Sequence, residues 1–129
     1  ALSSAASDVY KRQLIKGIIH CSGGGQTKCM RFGKSVHFIK DNLFTPPPIF
    51  RAIQRASKTS TAEMYKVYNM GHRMEIYCKP SDAQKVIDIA KSFGIEAKIV
   101  GRTEPSKRKD GKNHLTLSAN GEEIKYVQS

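Results

Sequence analysis

The stretch GIIHCSGGGQTKCMRFG, residues 17 to 33, decides how the chain begins to fold: an apolar run closes on His20, Cys21 and Ser22, and three consecutive glycines follow. Glycine costs backbone entropy in any ordered position, so a run of three marks φ angles that other residues avoid, or a close approach of backbone to something else. LIKGIIH, residues 14 to 20, predicts a short buried strand, GGG a turn, and QTKCMRFG a short helical turn closed by Gly33. Strand, glycine turn and helix in that order is the arrangement in which backbone N–H groups converge on an anion. A plain tight turn satisfies the same residues. Neither the Walker-type glycine–lysine loop nor the dinucleotide glycine fingerprint is present, so this stretch alone names no nucleotide.

Downstream, SVHFIK alternates Val36, Phe38 and Lys40 against His37 and Ile39, a strand pattern. TPPPIFRAIQRAS opens with prolines that suit a helix start, and Ile49, Phe50 and Ile53 share one face. In TSTAEMYKVYNMG, Ser60 and Glu63 have capping-box spacing, and Asn69 and Gly71 stop the helix. HRMEIYC then reads as a strand with Met74, Ile76 and Cys78 on one face and Arg73, Glu75 and Tyr77 on the other. KPSDAQKVIDIAKSFG predicts a helix with Ser81 as N-cap, an apolar stripe of Ala83, Val86, Ile87, Ala90 and Phe93, and a stop at Gly94. IEAKIVGR reads as the next strand, and HLTLSANGEEIKYV as a hairpin turning at Asn120-Gly121. Strands and helices alternate without a consistent βαβ repeat, which makes the chain an α+β domain.

At 129 residues and 39% hydrophobic content, the sequence suits one domain with one core. Residues 1 to 13 lack apolar periodicity and read as a disordered or non-native leader, with order starting near Leu14. No apolar run approaches bilayer length and the N-terminus lacks a signal-peptide core, so the expectation is a soluble, cytoplasmic protein with no membrane partner. Cys21, Cys29 and Cys78 are odd in number and irregular in spacing, which fits reduced structural thiols better than disulfides or zinc. The 22 Lys and Arg against 11 Asp and Glu give a formal charge of +11 that favours anionic partners: nucleic acid, acidic lipid or phosphorylated metabolites. The densest cluster, Lys107, Arg108, Lys109 and Lys112 around Asp110-Gly111, reads as a solvated hairpin tip.

Two places carry candidate chemistry. His20 and Ser22 flank the glycines and add donors to an anion site. NMGHR places Asn69 and Gly71 in a turn with His72 and Arg73 just beyond, and Arg73 suits a phosphate. The carboxylates show no pairing for acid–base work and no Ser-His-Asp or Cys-His arrangement can be read, so no catalytic residue and no metal site is assigned.

Taken together, GIIHCSGGGQTKCMRFG, PPPIFRAIQRAS, EMYKVYNMGHRMEIY and AKSFGIEAKIVGR, in that order and spacing, resemble the C-terminal domain of the phosphoribosylformylglycinamidine cyclo-ligase (aminoimidazole ribonucleotide synthetase) family over about residues 14 to 104. The resemblance implies a layered mixed sheet with helices packed on it over residues 14–129. It implies an ATP-dependent ring closure of formylglycinamidine ribonucleotide in purine synthesis, with ATP and magnesium held mainly by an N-terminal domain that this sequence does not match. A homodimer is implied for the full-length protein, and inactivity for this part alone. By the same resemblance Ser22, Gly23, Gly24 and Gly25 hold the substrate's phosphoribosyl phosphate, while His20, Asn69 and Gly71 line the cleft. His72-Arg73 departs from the small or apolar residues often found after N-M-G. Two other readings compete: a small basic nucleic-acid-binding module, against which the aromatics Phe32, Phe38, Tyr65 and Tyr77 are not interleaved with basic residues, and a metabolite-sensing regulatory domain around residues 73–100.

Overall fold

The computed structural model describes residues 14–129, so the leader assigned to residues 1–13 lies outside the described residues. The described chain forms an α+β structure in two compact units, one of residues 14–19 with Met74–Ile99 and one of His20–Arg73 with Val100–Ser129.

In the first unit, β1 (Ile15–His20, its last residue belonging to the second unit) pairs with β3 (Met74–Cys78), and Gly17 faces the Tyr77 ring. On β3 Met74 is 56% exposed whereas Glu75 is buried, and Tyr77 Oη donates to Glu75 Oε2. Alternation gives two faces but not which one is covered, and a carboxylate supplied with a hydroxyl donor tolerates the inner one. The helix α3 (Ala83–Ser92) forms as expected, but Ser81 does not cap it. Pro80 instead starts a 3-10 turn, Pro80–Asp82, and Asp82 occupies the N-cap position. Proline's fixed φ suits the first position of such a turn. Phe93 is 64% exposed, because the helix ends before it and the inward stripe stops at Ala90.

The second unit is built on a mixed four-stranded sheet in the order β4–β2–β5–β6. Its strands are β2 (Val36–Lys40), β4 (Arg102–Pro105), β5 (His114–Ala119) and β6 (Glu122–Val127). β2 lies antiparallel to β4 and parallel to β5, with Phe38 opposite Leu115 and Lys40 opposite Leu117. β5 and β6 form the expected hairpin, with positive φ at both Asn120 (52°) and Gly121 (75°), the backbone that two-residue hairpin turns demand. Phe38, Lys40, Leu115, Leu117 and Ala119 are all buried. The 3-10 segment Gly25–Arg31 packs on α2 (Thr61–Val67), adding Cys29, Met30, Met64 and Tyr65 to the core. Ser60 caps α2 by accepting from Glu63 N–H at 3.2 Å, and Tyr126 Oη on β6 donates to Ala62 O at 2.6 Å. α1 (Pro48–Ser57) begins at the prolines, as read.

Residues 95–100 are not a strand, contrary to the reading of IEAKIVGR. Pairing starts only at Arg102, after Gly101 has brought the chain against β2: a Cβ there would overlap Ile39 O and lie 2.9 Å from Lys40 Cα. The basic cluster is likewise not a hairpin tip. It connects β4 and β5, which flank β2 rather than pair with each other, and Arg108 Nη2 donates to Asp110 at 2.6 Å, holding that carboxyl down at about 2. The three cysteines carry no disulfide, and burial pushes the Cys78 thiol up.

One buried side chain organises this unit. Asn113, 1% exposed, donates through Nδ2 to the carbonyls of Met30 (2.9 Å), Phe32 (3.0 Å) and Gly33 (3.1 Å). Its Oδ1 accepts Val36 N–H at 2.9 Å. Asn113→Ala strips all four backbone groups of their partner and is expected to cost at least about 2 kcal/mol. Urea unfolding of the chain and its variant measures this, and a loss under about 0.5 kcal/mol, the range of ordinary surface changes, would contradict the assigned role.

On the same sheet the rings of His37 and His114 stack with centroids 4.0 Å apart. Burial, His37 and Arg108 together push the His114 pKa down, with Asp110 opposing them. The folded state therefore disfavours protonation, while the unfolded chain takes up its proton near pH 6.5 (about the usual histidine value). The His114 contribution is complete above that pH and is lost progressively as pH falls from there through the lower folded-state value. The urea midpoint should drop between about pH 7.5 and about pH 5.5, with a shallower drop in His114→Gln.

Candidate functional site

All seven residues singled out for substrate binding fall in or beside two turns, and the second unit places these turns against each other. Cys21 N–H donates to Arg73 O at 2.6 Å, joining the entry of the glycine turn to the exit of the Asn69–Gly71 turn. Gln26 Nε2 donates to Asn69 O at 2.6 Å. Gly25 has φ +50°, and a Cβ on it would overlap Tyr68 O and lie 2.8 Å from Tyr68 N and C. The last glycine of the run is thus required by a backbone-on-backbone contact inside the protein.

The other two glycines are not explained this way. Gly23 is exposed and a Cβ on it meets nothing within 4 Å. Gly24 has φ +96° and carries the Arg31 guanidinium and Lys28 alongside, each 3.6 Å from a built Cβ. Within the turn Ser22 N–H donates to His20 O (2.9 Å) and Gly25 N–H to Ser22 O (3.0 Å). Among the described residues, this leaves the N–H groups of Gly23 and Gly24 uncommitted. Lys28 Nζ reaches back to Ser22 Oγ at 2.8 Å, and Thr27 Oγ1 donates to Gly24 O at 2.7 Å. The turn is therefore bordered by two cations and a hydroxyl, and it can accept an anion without dismantling any of its own hydrogen bonds.

His20 stands exposed at the end of β1. Asn69 closes its own turn, its Oδ1 accepting Gly71 N–H at 3.0 Å. Gly71, exposed at φ +135°, leaves room for Phe44 and Thr45, and His72 is buried with its ring 6.1 Å from that of Phe44. Arg73 is exposed.

Sequence reasoning missed Gln26 and Lys40. Gln26 is fully buried and links the two turns, and Lys40, 3% exposed, donates to Gln26 O at 2.8 Å and to Gln26 Oε1 at 2.9 Å. The available signal was a lysine sharing a strand face with Phe38.

A family model described as AIR synthase related protein, C-terminal domain, matches residues 2–112. The chain belongs to that family. It is similar to proteins named phosphoribosylformylglycinamidine cyclo-ligase from Methanococcus vannielii (33% identical, covering 91% of this chain and 34% of the relative) and Methanocaldococcus jannaschii (37%, covering 75% and 28%). A protein of the same name from Alkaliphilus metalliredigens is 30% identical over 73% of this chain and 28% of its own length. The chain thus spans about a third of the length of the curated relatives it matches. Among the described residues no helix is long and apolar enough to cross a membrane.

The geometry separates the roles of the glycines by experiment. Gly25→Ala forces a backbone contact to open and is expected to destabilise the chain by about 2 kcal/mol or more. Gly23→Ala enters open space and should stay within about 0.5 kcal/mol of the parent in urea unfolding.

Proposed function

We propose that this chain is the substrate-holding C-terminal part of a phosphoribosylformylglycinamidine cyclo-ligase. In that reaction ATP activates the amide oxygen of formylglycinamidine ribonucleotide by phosphorylation, an internal nitrogen attacks the activated carbon, and phosphate leaves as the imidazole ring of aminoimidazole ribonucleotide closes, with ADP as the other product. ATP and magnesium would be held mainly by the N-terminal part of the longer protein, which would act as a homodimer in the cytoplasm. The contribution of these residues is grip. The N–H groups of Gly23 and Gly24, the Ser22 hydroxyl and the Lys28 and Arg31 cations would hold the phosphoribosyl phosphate, with His20, Asn69 and Gly71 shaping the cleft wall. Gly25 would act as the hinge that seats the turn.

The observation that carries this reading is the split within the glycine run, in the setting of the family match. One glycine is demanded by internal packing, and the two beside it, among the described residues, present uncommitted N–H groups beside two cations. Charge-assisted hydrogen bonds from backbone N–H groups are the usual means of holding a phosphate where no side chain fits.

Gly23→Ala tests it, because the added methyl meets nothing in the folded chain and any effect reports on what approaches from outside. In the full-length enzyme the variant should raise KM for formylglycinamidine ribonucleotide at least about fivefold, equivalent to about 1 kcal/mol, and leave KM for ATP within about twofold. Unchanged substrate affinity would remove the phosphate from this turn.

A further inference from the structure

We propose that Lys40 is a positioning residue for the glycine turn: from the buried face of β2 its ammonium fixes Gln26, and Gln26 in turn sets the Asn69–Gly71 turn against Gly23 and Gly24. The inference deepens the proposed function and rests on its phosphate reading.

Lysine is among the residues least often buried, because its ammonium charge must be met by hydrogen-bond acceptors inside the protein. Lys40 sits at 3% exposure opposite Leu117, on the face that also carries Phe38 and Leu115. A leucine or methionine would cover that position without desolvating a charge, and buried charges are commonly neutral or costly for stability compared with such replacements. What an apolar side chain lacks is the pair of bonds Lys40 makes to one residue, to the backbone carbonyl of Gln26 at 2.8 Å and to its side-chain oxygen at 2.9 Å. Bonding both oxygens of Gln26 fixes its χ angles and its amide orientation, so the Nε2 group points at Asn69 O, 2.6 Å away. An ammonium on the amide oxygen also polarises the amide and strengthens Nε2 as a donor. Asn69 holds Gly71 N–H in its own turn, so the relay runs from β2 through two side chains to the second turn. Gln26 directly follows Gly25, whose backbone lies on Tyr68, so a displaced Gln26 shifts the glycine turn as well.

The discriminating substitution is Gln26→Glu. It keeps both oxygens for Lys40 and turns that contact into an ion pair, but it removes the donor to Asn69 and sets oxygen against oxygen. A purely structural role for Lys40 survives this change, whereas positioning does not. The experiment follows backbone amide exchange by NMR in the 129-residue chain, with ribose 5-phosphate as the probe titrated against the Gly23 and Gly24 amide signals. We expect Gln26→Glu to stay cooperatively folded, to lose at least about tenfold in amide protection at residues 69–71, and to bind ribose 5-phosphate at least about fivefold more weakly. Lys40→Met should do the same and Lys40→Arg should restore part of both effects. If Lys40→Met does not fold, Lys40→Gln takes its place, with the same loss of protection expected at residues 69–71 and unchanged protection overturning the role of Lys40. Unchanged protection at residues 69–71 in folded Gln26→Glu overturns the proposal. If the parent chain binds no ribose 5-phosphate while protection still falls in the variants, the relay stands and the phosphate reading is what fails.

Discussion

The second unit depends on a buried amide. Asn113 has two Nδ2 hydrogens and three carbonyls to satisfy with them, so at least one bond is shared, and its Oδ1 takes a fourth backbone group, Val36 N–H. Those four groups belong to the passage from the 3-10 segment into β2, a reversal with no ladder of its own. Its backbone itself lies across the opening of the sheet, where Gln128 N–H donates to Asn113 O and Gln128 Oε1 accepts Asn113 N–H. Fixing where β2 starts fixes its register, with Phe38 on Leu115 and Lys40 on Leu117. A slip of one residue would put Lys40 outward and His37 inward, because strand side chains alternate. The contact from Lys40 to Gln26 therefore rests on an asparagine in a loop near the other end of the sequence.

The same constraint explains why so many polar residues lie in this core. Buried backbone groups must be paired, and irregular segments cannot pair them internally. Three irregular passages are met by side chains: Asn113 serves residues 30–36, Gln26 the end of α2, and Lys40 the first turn of the 3-10 segment. Among the described residues no buried side-chain nitrogen or oxygen lacks a partner. Gly25 belongs to this accounting too, since its missing Cβ lets the turn reach the Tyr68 backbone at all. Of the three glycines, the last thus has an internal cause, whereas a Cβ on Gly23 would meet nothing in the protein.

What was legible in the sequence was what short-range chemistry decides. The Asn120-Gly121 hairpin, the proline start of α1, the Ser60 cap and the strand containing Phe38 all follow from neighbours within a few residues, and all formed. The family resemblance also stood on local phrases. Misreadings came where a distant partner decides. IEAKIVGR has the composition of a strand, but an edge strand exists only where a neighbour offers its backbone, and that begins after Gly101. Which face of β3 is covered is likewise left undecided by the alternation of Met74 and Glu75, and it is the one carrying the carboxylate. Gln26 and Asn113 meet partners 43 and 83 residues away, and no period in the sequence announces such a pair.

Charge illustrates the same division between composition and placement. The formal +11 suggests a diffuse attraction for anions, but exposed charges further apart than about 10 Å are screened at ordinary salt, so the total speaks for encounter more than for recognition. The densest basic cluster is partly answered by its own Asp110, which accepts from Arg108 and from the Lys112 backbone. Lys28 and Arg31 are two ordinary letters in QTKCMR. They matter because a 3-10 segment of that length returns both toward the glycines that precede it, beside N–H groups that the turn itself has left uncommitted. On the proposed reading, recognition of an anion here would be set by how the turn is held, by uncharged backbone contacts and by a lysine that solvent scarcely reaches.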